Sequence, residues 1–285
     1  MTILVTGATG GYGAAALNEL KTLVPQDEIF ALARSEEKAT ALREQGFQVR
    51  IATYDDPAAL EKAFAGIDRL LFVSSSEVGS RKTQHQHVVD VAKNVGVSYI
   101  AYTSFNKADT STSPLAEEHA YTEKAILASG IAHTFLRNNW YMENDLPLIE
   151  AALKTGKLVH AGGDGKAGWV LRSELAKLGA RAVSGKFDFP SILEAGNPLI
   201  TYKQLAEVVE SVTGAKLEVV DADVATASQF LQDNAGLPQD FADMIAGSQS
   251  VVKSGSLAVE PSDIEQYLGR PFVTIKESLQ QLLGK

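Results

Sequence analysis

The chain has no cysteine among its 285 residues. Disulfides, thiolate nucleophiles and cysteine-held zinc are thereby excluded, and a reducing compartment, the cytoplasm, is the expected location. Basic residues are in short supply: 26 Lys and Arg stand against 35 Asp and Glu, a formal charge of −9. Such a balance repels phosphate backbones and anionic bilayers, so neither nucleic acid nor a membrane surface is an expected partner. No run of 18 apolar residues occurs and no basic leader precedes the first apolar stretch, so neither a membrane span nor a signal peptide is expected. Internal repeats, low-complexity tracts and a Pro/Gly/Ser-rich linker are missing too. So are the G-x-S-x-G elbow, H-E-x-x-H and the Walker sequence, which leaves hydrolase and kinase readings without support.

What is present is 45% hydrophobic residues, enough for a full core. In the first half, short apolar runs alternate with amphipathic stretches. Strands are expected at Thr2–Thr6, Glu28–Ala33, Gln48–Ala52, Arg69–Ser74, Ser98–Thr103 and His133–Leu136, with helices starting near Gly11, Glu36, Pro57, Arg81 and Pro114. That βαβ rhythm implies an α/β fold, a Rossmann-type doubly wound parallel sheet. Beyond residue 150 the rhythm loosens. Lys157–Lys166 reads as a short strand and glycine turn, Thr201–Thr213 as a helix ended by Gly214, and Ser228–Ala246 and Ser262–Leu283 as helical. We expect residues 1–150 to form the dinucleotide-binding domain and 151–285 a smaller, helix-rich C-terminal lobe, with room for the chain to cross back.

Between the first strand and first helix lies Gly7-Ala8-Thr9-Gly10-Gly11-Tyr12-Gly13. Gly7 suits the turn off the strand, Gly10 leaves backbone open to a pyrophosphate, and Gly13 lets the helix press on the sheet. The helix N-terminus would then face the phosphates. After the second strand, where a carboxylate would accept ribose hydroxyls of NAD, stands Arg34. A guanidinium there pairs with a 2′-phosphate, so NADP(H) is the expected cofactor. Asp55, after the third strand, is either an adenine contact or a loop aspartate.

In an open α/β sheet the ligand lies across the C-terminal strand ends. Here these carry Ser74-Ser75-Ser76-Glu77, Thr103-Ser104-Phe105-Asn106 and Arg137-Asn138-Asn139-Trp140-Tyr141. Hydroxyls, amides and aromatics suit the holding of a nicotinamide ribose and a flat acceptor. None of the eight tyrosines is followed four residues later by lysine, the pair that short-chain dehydrogenases use as acid and base; Lys124 has Ala120 in the tyrosine's place.

The strings TGATGGYG, FVSSSEVGSR, IAYTSFN, EEHAYTEKAILASGI, TFLRNNWYMEN and AGGDGK, with Arg34, resemble the NmrA-like atypical short-chain dehydrogenase/reductase group. Within it they are most similar to the branch of NADPH:quinone oxidoreductases and triphenylmethane reductase. The resemblance is close over residues 1–166 and looser beyond. It implies a monomeric or homodimeric enzyme that passes hydride from NADPH to a small quinone-like acceptor. Carried over by motif, the cofactor contacts are Gly7, Ala8, Thr9, Gly10, Gly11, Tyr12, Arg34, Ser75, Ser76, Glu77, Asn138, Asn139, Trp140, Tyr141 and Lys166, to which the strand-end reading adds Gly13 and Thr103. The stretch Ala167–Arg172 departs from the pattern, where smaller residues and an aspartate near Glu174 are expected; bulky Trp169 is expected to reshape the cleft mouth.

A quinone accepts hydride readily, so positioning two rings does much of the work and a donor at the developing oxyanion helps. Lys124, Tyr141 and Asn138 or Asn139 are the candidate donors, with packing and a solvated helix lysine as the plain alternatives for Tyr141 and Lys124. His85 and His87 fit a solvated helix start rather than a shared metal site, and His119 a polar helix face or a proton relay. The rival to the reductase is an NmrA-like redox sensor that binds NADP(H) without turnover.

Overall fold

Short, largely apolar runs bounded by turn residues make the strands, of which the central ones are buried on both faces. The computed structural model describes residues 1–285. In chain order its elements are β1 Ile3–Val5, α1 Gly11–Leu23, β2 Ile29–Ala33, α2 Glu36–Glu44, β3 Gln48–Ile51, α3 Pro57–Phe64, β4 Arg69–Phe72, α4 Arg81–Asn94, β5 Tyr99–Phe105, α5 Pro114–Ser129 and β6 Ala132–Asn138. Then follow α6 Leu146–Thr155, β7 Lys157–His160, β8 Lys166–Ala167, α7 Arg172–Val183, β9 Ile192–Ala195, β10 Ile200–Thr201, α8 Tyr202–Thr213, β11 Glu218–Asp221, α9 Val224–Ala235, α10 Gln239–Lys253, α11 Glu265–Leu268 and α12 Ile275–Leu283. The six expected strands and five expected helix starts are all present.

The main sheet has seven strands in the order β3-β2-β1-β4-β5-β6-β9, every pair parallel. Period-two alternation splits β1, β2, β4, β5 and β6 between two cores, whereas the edge strands β3 and β9 join only the first. Ile3 and Val5 face α1 and α7 with Tyr12, Leu17, Leu20 and Leu175. Leu4, Phe72, Tyr102 and Phe135 face α3, α4 and α5 with Leu60, Phe64, Val88 and Ile126. Helix starts are written locally: Asp56 caps α3 ahead of Pro57, and Ser113 caps α5 ahead of Pro114.

A third core holds the lobe, where Trp140, Trp169, Tyr202, Leu205, Ile245 and Val252 pack between α6, α8, α9, α10 and α12. The chain crosses back: α7 packs on the sheet beside α1, and β9 extends the sheet past β6. Residues 172–195, in the expected second unit, therefore lie against the first. The patterns over Ser228–Ala246 and Ser262–Leu283 are each two helices. Gly236, at φ +66°, and Pro238 separate α9 from α10; Gly269 and Pro271 separate α11 from α12. β9 and the parallel β7–β11 pair were not expected.

Candidate active site

The glycine turn is set by close approach. Gly7 sits at φ +58°, and a Cβ there would stand 3.1 Å from Val73 Cβ. At Gly13 a Cβ would come within 2.3 Å of the Gly7 carbonyl oxygen, so only glycine lets α1 start this near β1. Gly10 is the residue before α1 and offers no capping side chain, and the first turn carries no acidic residue. The leading amides of α1 are thus free for an anion, and the helix dipole favours one.

From this turn a cleft of about 620 Å³ runs along the C-terminal ends of β1, β2, β3 and β4 to Tyr141 and Arg172. At one end Arg34 leaves β2, and its Nη1 pairs with Glu77 Oε1 at 2.9 Å. Gln84 Nε2 donates to the other Glu77 oxygen at 2.8 Å and to the Asp55 carboxylate at 3.2 Å. Tyr54 closes this end, its hydroxyl donating to the Val73 carbonyl at 2.9 Å.

The loop after β4 is pinned from beneath. Ser74 N–H donates to Thr103 Oγ1, and Ser75 N–H donates to His85 Nε2 at 3.0 Å. With Nε2 accepting, His85 carries its proton on Nδ1, 2.8 Å from Thr122 Oγ1. Burial, then the nearby Arg81, pushes its pKa down to about 3. Arg81 Nε donates to the Ser75 carbonyl at 2.5 Å, and its Nη1 lies 3.8 Å from Glu118. His119 stands between Arg81, at 3.5 Å, and the Tyr102 hydroxyl, at 2.8 Å. The expected solvated helix start at His85 and polar face at His119 are therefore corrected: both are buried, because their helix faces turn to the sheet and hydrogen bonds satisfy the ring nitrogens.

Tyr141, half-buried, forms the opposite end. A parallel bridge to Val170 holds its backbone, and the Arg172 guanidinium sits 4.9 Å from its ring centre. Asn138 Nδ2 donates to the Tyr141 hydroxyl oxygen at 3.4 Å, while Asn138 Oδ1 is buried without a partner. The phenol proton remains uncommitted. Burial raises the Tyr141 pKa, so the hydroxyl stays a neutral donor at ordinary pH.

Behind this wall lies a buried carboxylate. Asp145 accepts from Trp140 Nε1 at 3.1 Å, Trp169 Nε1 at 2.7 Å and the Tyr202 hydroxyl at 3.0 Å. Burial pushes its pKa up to about 6, and the three hydrogen bonds oppose the rise. Asn139 is also committed: Nδ2 donates to the Leu257 carbonyl, and Oδ1 accepts from the amides of Trp140 and Gly168.

Of the expected site residues, Gly7, Thr9, Gly10, Gly11, Tyr12, Gly13, Arg34, Ser75, Ser76, Glu77 and Tyr141 line the cleft. Tyr12 also ties α1 to α7, donating to the Leu175 carbonyl at 3.0 Å. Ala8, Thr103, Asn138, Asn139 and Trp140 are buried outside the cleft lining. Lys124 is corrected: it is exposed and does not line the cleft, since the inward side of that helix turn belongs to Glu123, paired with Arg137 at 2.6 Å. Lys166 is likewise exposed, on β8 beside Thr201, outside the lining. Trp169 is fully buried in the lobe core and does not shape the cleft mouth. Sequence reasoning missed Lys38, Tyr54, Arg81, Gln84 and Arg172 as lining residues. Arg81 and Gln84 could have been found, being one helical turn apart just after a strand-end loop. Arg172 reaches the cleft only because the chain crosses back.

The sequence model of the NmrA-like family matches residues 1–270. Quinone oxidoreductase 2 of Escherichia coli (strain K12) is 40% identical over 286 residues, covering 99% of each chain. The crystal structure of the NADPH-dependent quinone oxidoreductase from E. coli in complex with NADPH superposes with a TM-score of 0.90 at 39% identity, over 99% of this chain and 100% of that one. The Citrobacter sp. triphenylmethane reductase complexed with NADP(H) gives a TM-score of 0.91 at 33% identity, over 99% of both.

Proposed function

The chain belongs to the NmrA-like family, and from that premise we propose that it is an NADPH-dependent reductase that passes hydride to quinones or similar conjugated acceptors. The observation that carries this reading is the acceptor end of the cleft. It presents one neutral phenol, Tyr141, with a free hydroxyl proton, and no tyrosine–lysine pair, since Lys124 faces away and Ala120 replaces the tyrosine. Such a site suits an acceptor that needs orientation and a hydrogen bond more than strong acid help.

The cofactor fits the residues present. A turn with Gly7 at positive φ and Gly13 closed to any Cβ, an uncapped helix start and cations at both ends match a phosphorylated dinucleotide. NADPH supplies the hydride when bound. Arg34 would bind the adenosine 2′-phosphate, and the amides of Gly11 and Tyr12 would hold phosphate oxygens, the Gly10 N–H being taken by the Gly7 carbonyl at 3.0 Å. Ser75, pinned by His85 and Arg81, and Ser76 after it border the nicotinamide side. Asn138 orients the Tyr141 hydroxyl, which donates to the oxygen that gains charge as hydride arrives; water supplies the proton that completes the hydroquinone. Asn139 and Trp140 support this wall, and Thr103 holds the loop after β4.

No helix is long and apolar enough to cross a membrane. The partner is a small-molecule acceptor. We assign no nucleic acid, a monomeric or homodimeric state and a cytoplasmic location. The test follows NADPH absorbance with benzoquinones, naphthoquinones and triphenylmethane dyes, using wild type and Tyr141→Phe. Turnover by wild type with a roughly ten- to hundredfold lower kcat in Tyr141→Phe, at unchanged NADPH affinity, is expected. If no acceptor is reduced while NADPH is bound, the reductase reading fails.

A further inference from the structure

The glycine cradle comes from the first residues of the chain, but the nearest cation to it does not. Arg172, the first residue of α7, lines the same cleft as Gly10 and Gly11. A Cβ on Gly11 would stand 3.3 Å from Arg172 Cδ and 3.4 Å from its Nη1. The residue is held by its backbone and by two contacts to its side chain. Glu143 accepts from its backbone N–H at 3.0 and 3.1 Å, Asn144 Oδ1 accepts from Nη2 at 3.3 Å, and the guanidinium lies against the Tyr141 ring.

None of these contacts neutralises it. Arg34, Arg43, Arg81, Arg137, Arg181 and Arg270 are ion-paired, and Arg50 and Arg69 donate to backbone carbonyls, whereas the Arg172 guanidinium has neither a carboxylate nor a carbonyl partner and donates only to Asn144. An unpaired guanidinium held against the positive end of a 13-residue helix is an arrangement that an anion between them relieves. NADPH has two anionic groups. The 2′-phosphate belongs at the far end of the cleft, with Arg34, and the pyrophosphate crosses the start of α1.

We infer that Arg172 is a pyrophosphate ligand, a cation from the returning part of the chain that closes the α1 cradle over the cofactor. The inference rests on the NADPH reading above and deepens it. Because the same guanidinium stacks on Tyr141, cofactor binding also fixes the ring that faces the acceptor.

Isothermal titration of wild type, Arg172→Gln and Arg34→Gln with NADPH, NADH and 2′-AMP tests it. The last probe carries the 2′-phosphate but no pyrophosphate. Arg172→Gln is expected to weaken NADPH and NADH by the same factor, about ten- to a hundredfold for one charge-assisted hydrogen bond, and to leave 2′-AMP unchanged. Unchanged 2′-AMP binding also establishes that the variant's cleft is intact. Arg34→Gln should do the reverse, weakening NADPH and 2′-AMP and sparing NADH. Wild-type NADPH affinity in Arg172→Gln overturns the assignment, as does an equal loss of all three ligands. Wild type that binds NADPH yet reduces no acceptor would sink the reductase reading and leave Arg172 where it is placed.

Discussion

At the scale of single residues the cofactor preference turns on two charges. Arg34 is the cation proposed for the adenosine end, and its partner in the structure is Glu77, 2.9 Å away, with 69% and 47% of the two side chains exposed. Arg34→Glu is expected to weaken NADPH roughly a hundredfold and NADH little, measured as dissociation constants for the two cofactors, because only NADPH has the phosphate that a guanidinium grips. Equal losses would make Arg34 structural. Glu77 competes with that phosphate for the same guanidinium. An exposed pair contributes only about 0–1 kcal/mol, so Glu77→Gln should tighten NADPH by at most about fivefold and leave NADH alone. Arg34 was legible from its place after the second strand; Glu77 was expected as a cofactor contact, and its pairing across the cleft depends on a loop path that no local pattern encodes.

At the scale of elements, the acceptor wall is held by a junction among β6, the segment before α7, and α8, joined at Asp145. Its carboxyl titrates near 6 in the folded chain against roughly 3.9 in an unfolded one, so the folded state holds the extra proton between those values. Stability contributed by this group is therefore greatest at the acid end and falls as pH rises from about 4 to 6, by on the order of 3 kcal/mol, then levels off. The chain's two tryptophans, Trp140 and Trp169, both donate to this carboxylate and report on it. Tryptophan emission of the wild type should titrate with a midpoint near 6, and that of Asp145→Asn should be flat across the same range. An asparagine can keep the junction by accepting from both indoles and donating to Tyr202. Emission in Asp145→Asn that titrates like the wild type would assign the transition to another group. The first six strands were readable because each is an apolar run bounded by turn residues; β9 and β11 were not, since ILEA and EVVD become strands only by docking beside β6 and β7. Trp169 was misplaced for a related reason, because its burial comes from lobe packing that the glycine-rich stretch before it does not announce.

At the scale of the whole molecule, one continuous sheet carries the proposed cofactor end of the cleft, and the returning chain completes the end proposed for the acceptor. The cradle, Arg34 and the loop after β4 come from residues before 85, and Tyr141 and Arg172 from the point where the chain leaves the sheet and comes back to it. That division explains what the sequence could disclose. The glycine turn and strand-end loops are local and were readable, while Arg172, the outward Lys124 and the buried His85 depend on how α7, α5 and α4 pack. The central claim, that this cleft holds NADPH and delivers its hydride to a conjugated acceptor, is tested most directly by an anaerobic single turnover. Wild-type protein loaded with one equivalent of NADPH is mixed with benzoquinone, and loss of the dihydronicotinamide absorbance is followed beside the same concentrations free in solution. Loss far faster on the protein than in solution is expected; bound NADPH oxidised no faster than free NADPH would contradict the account.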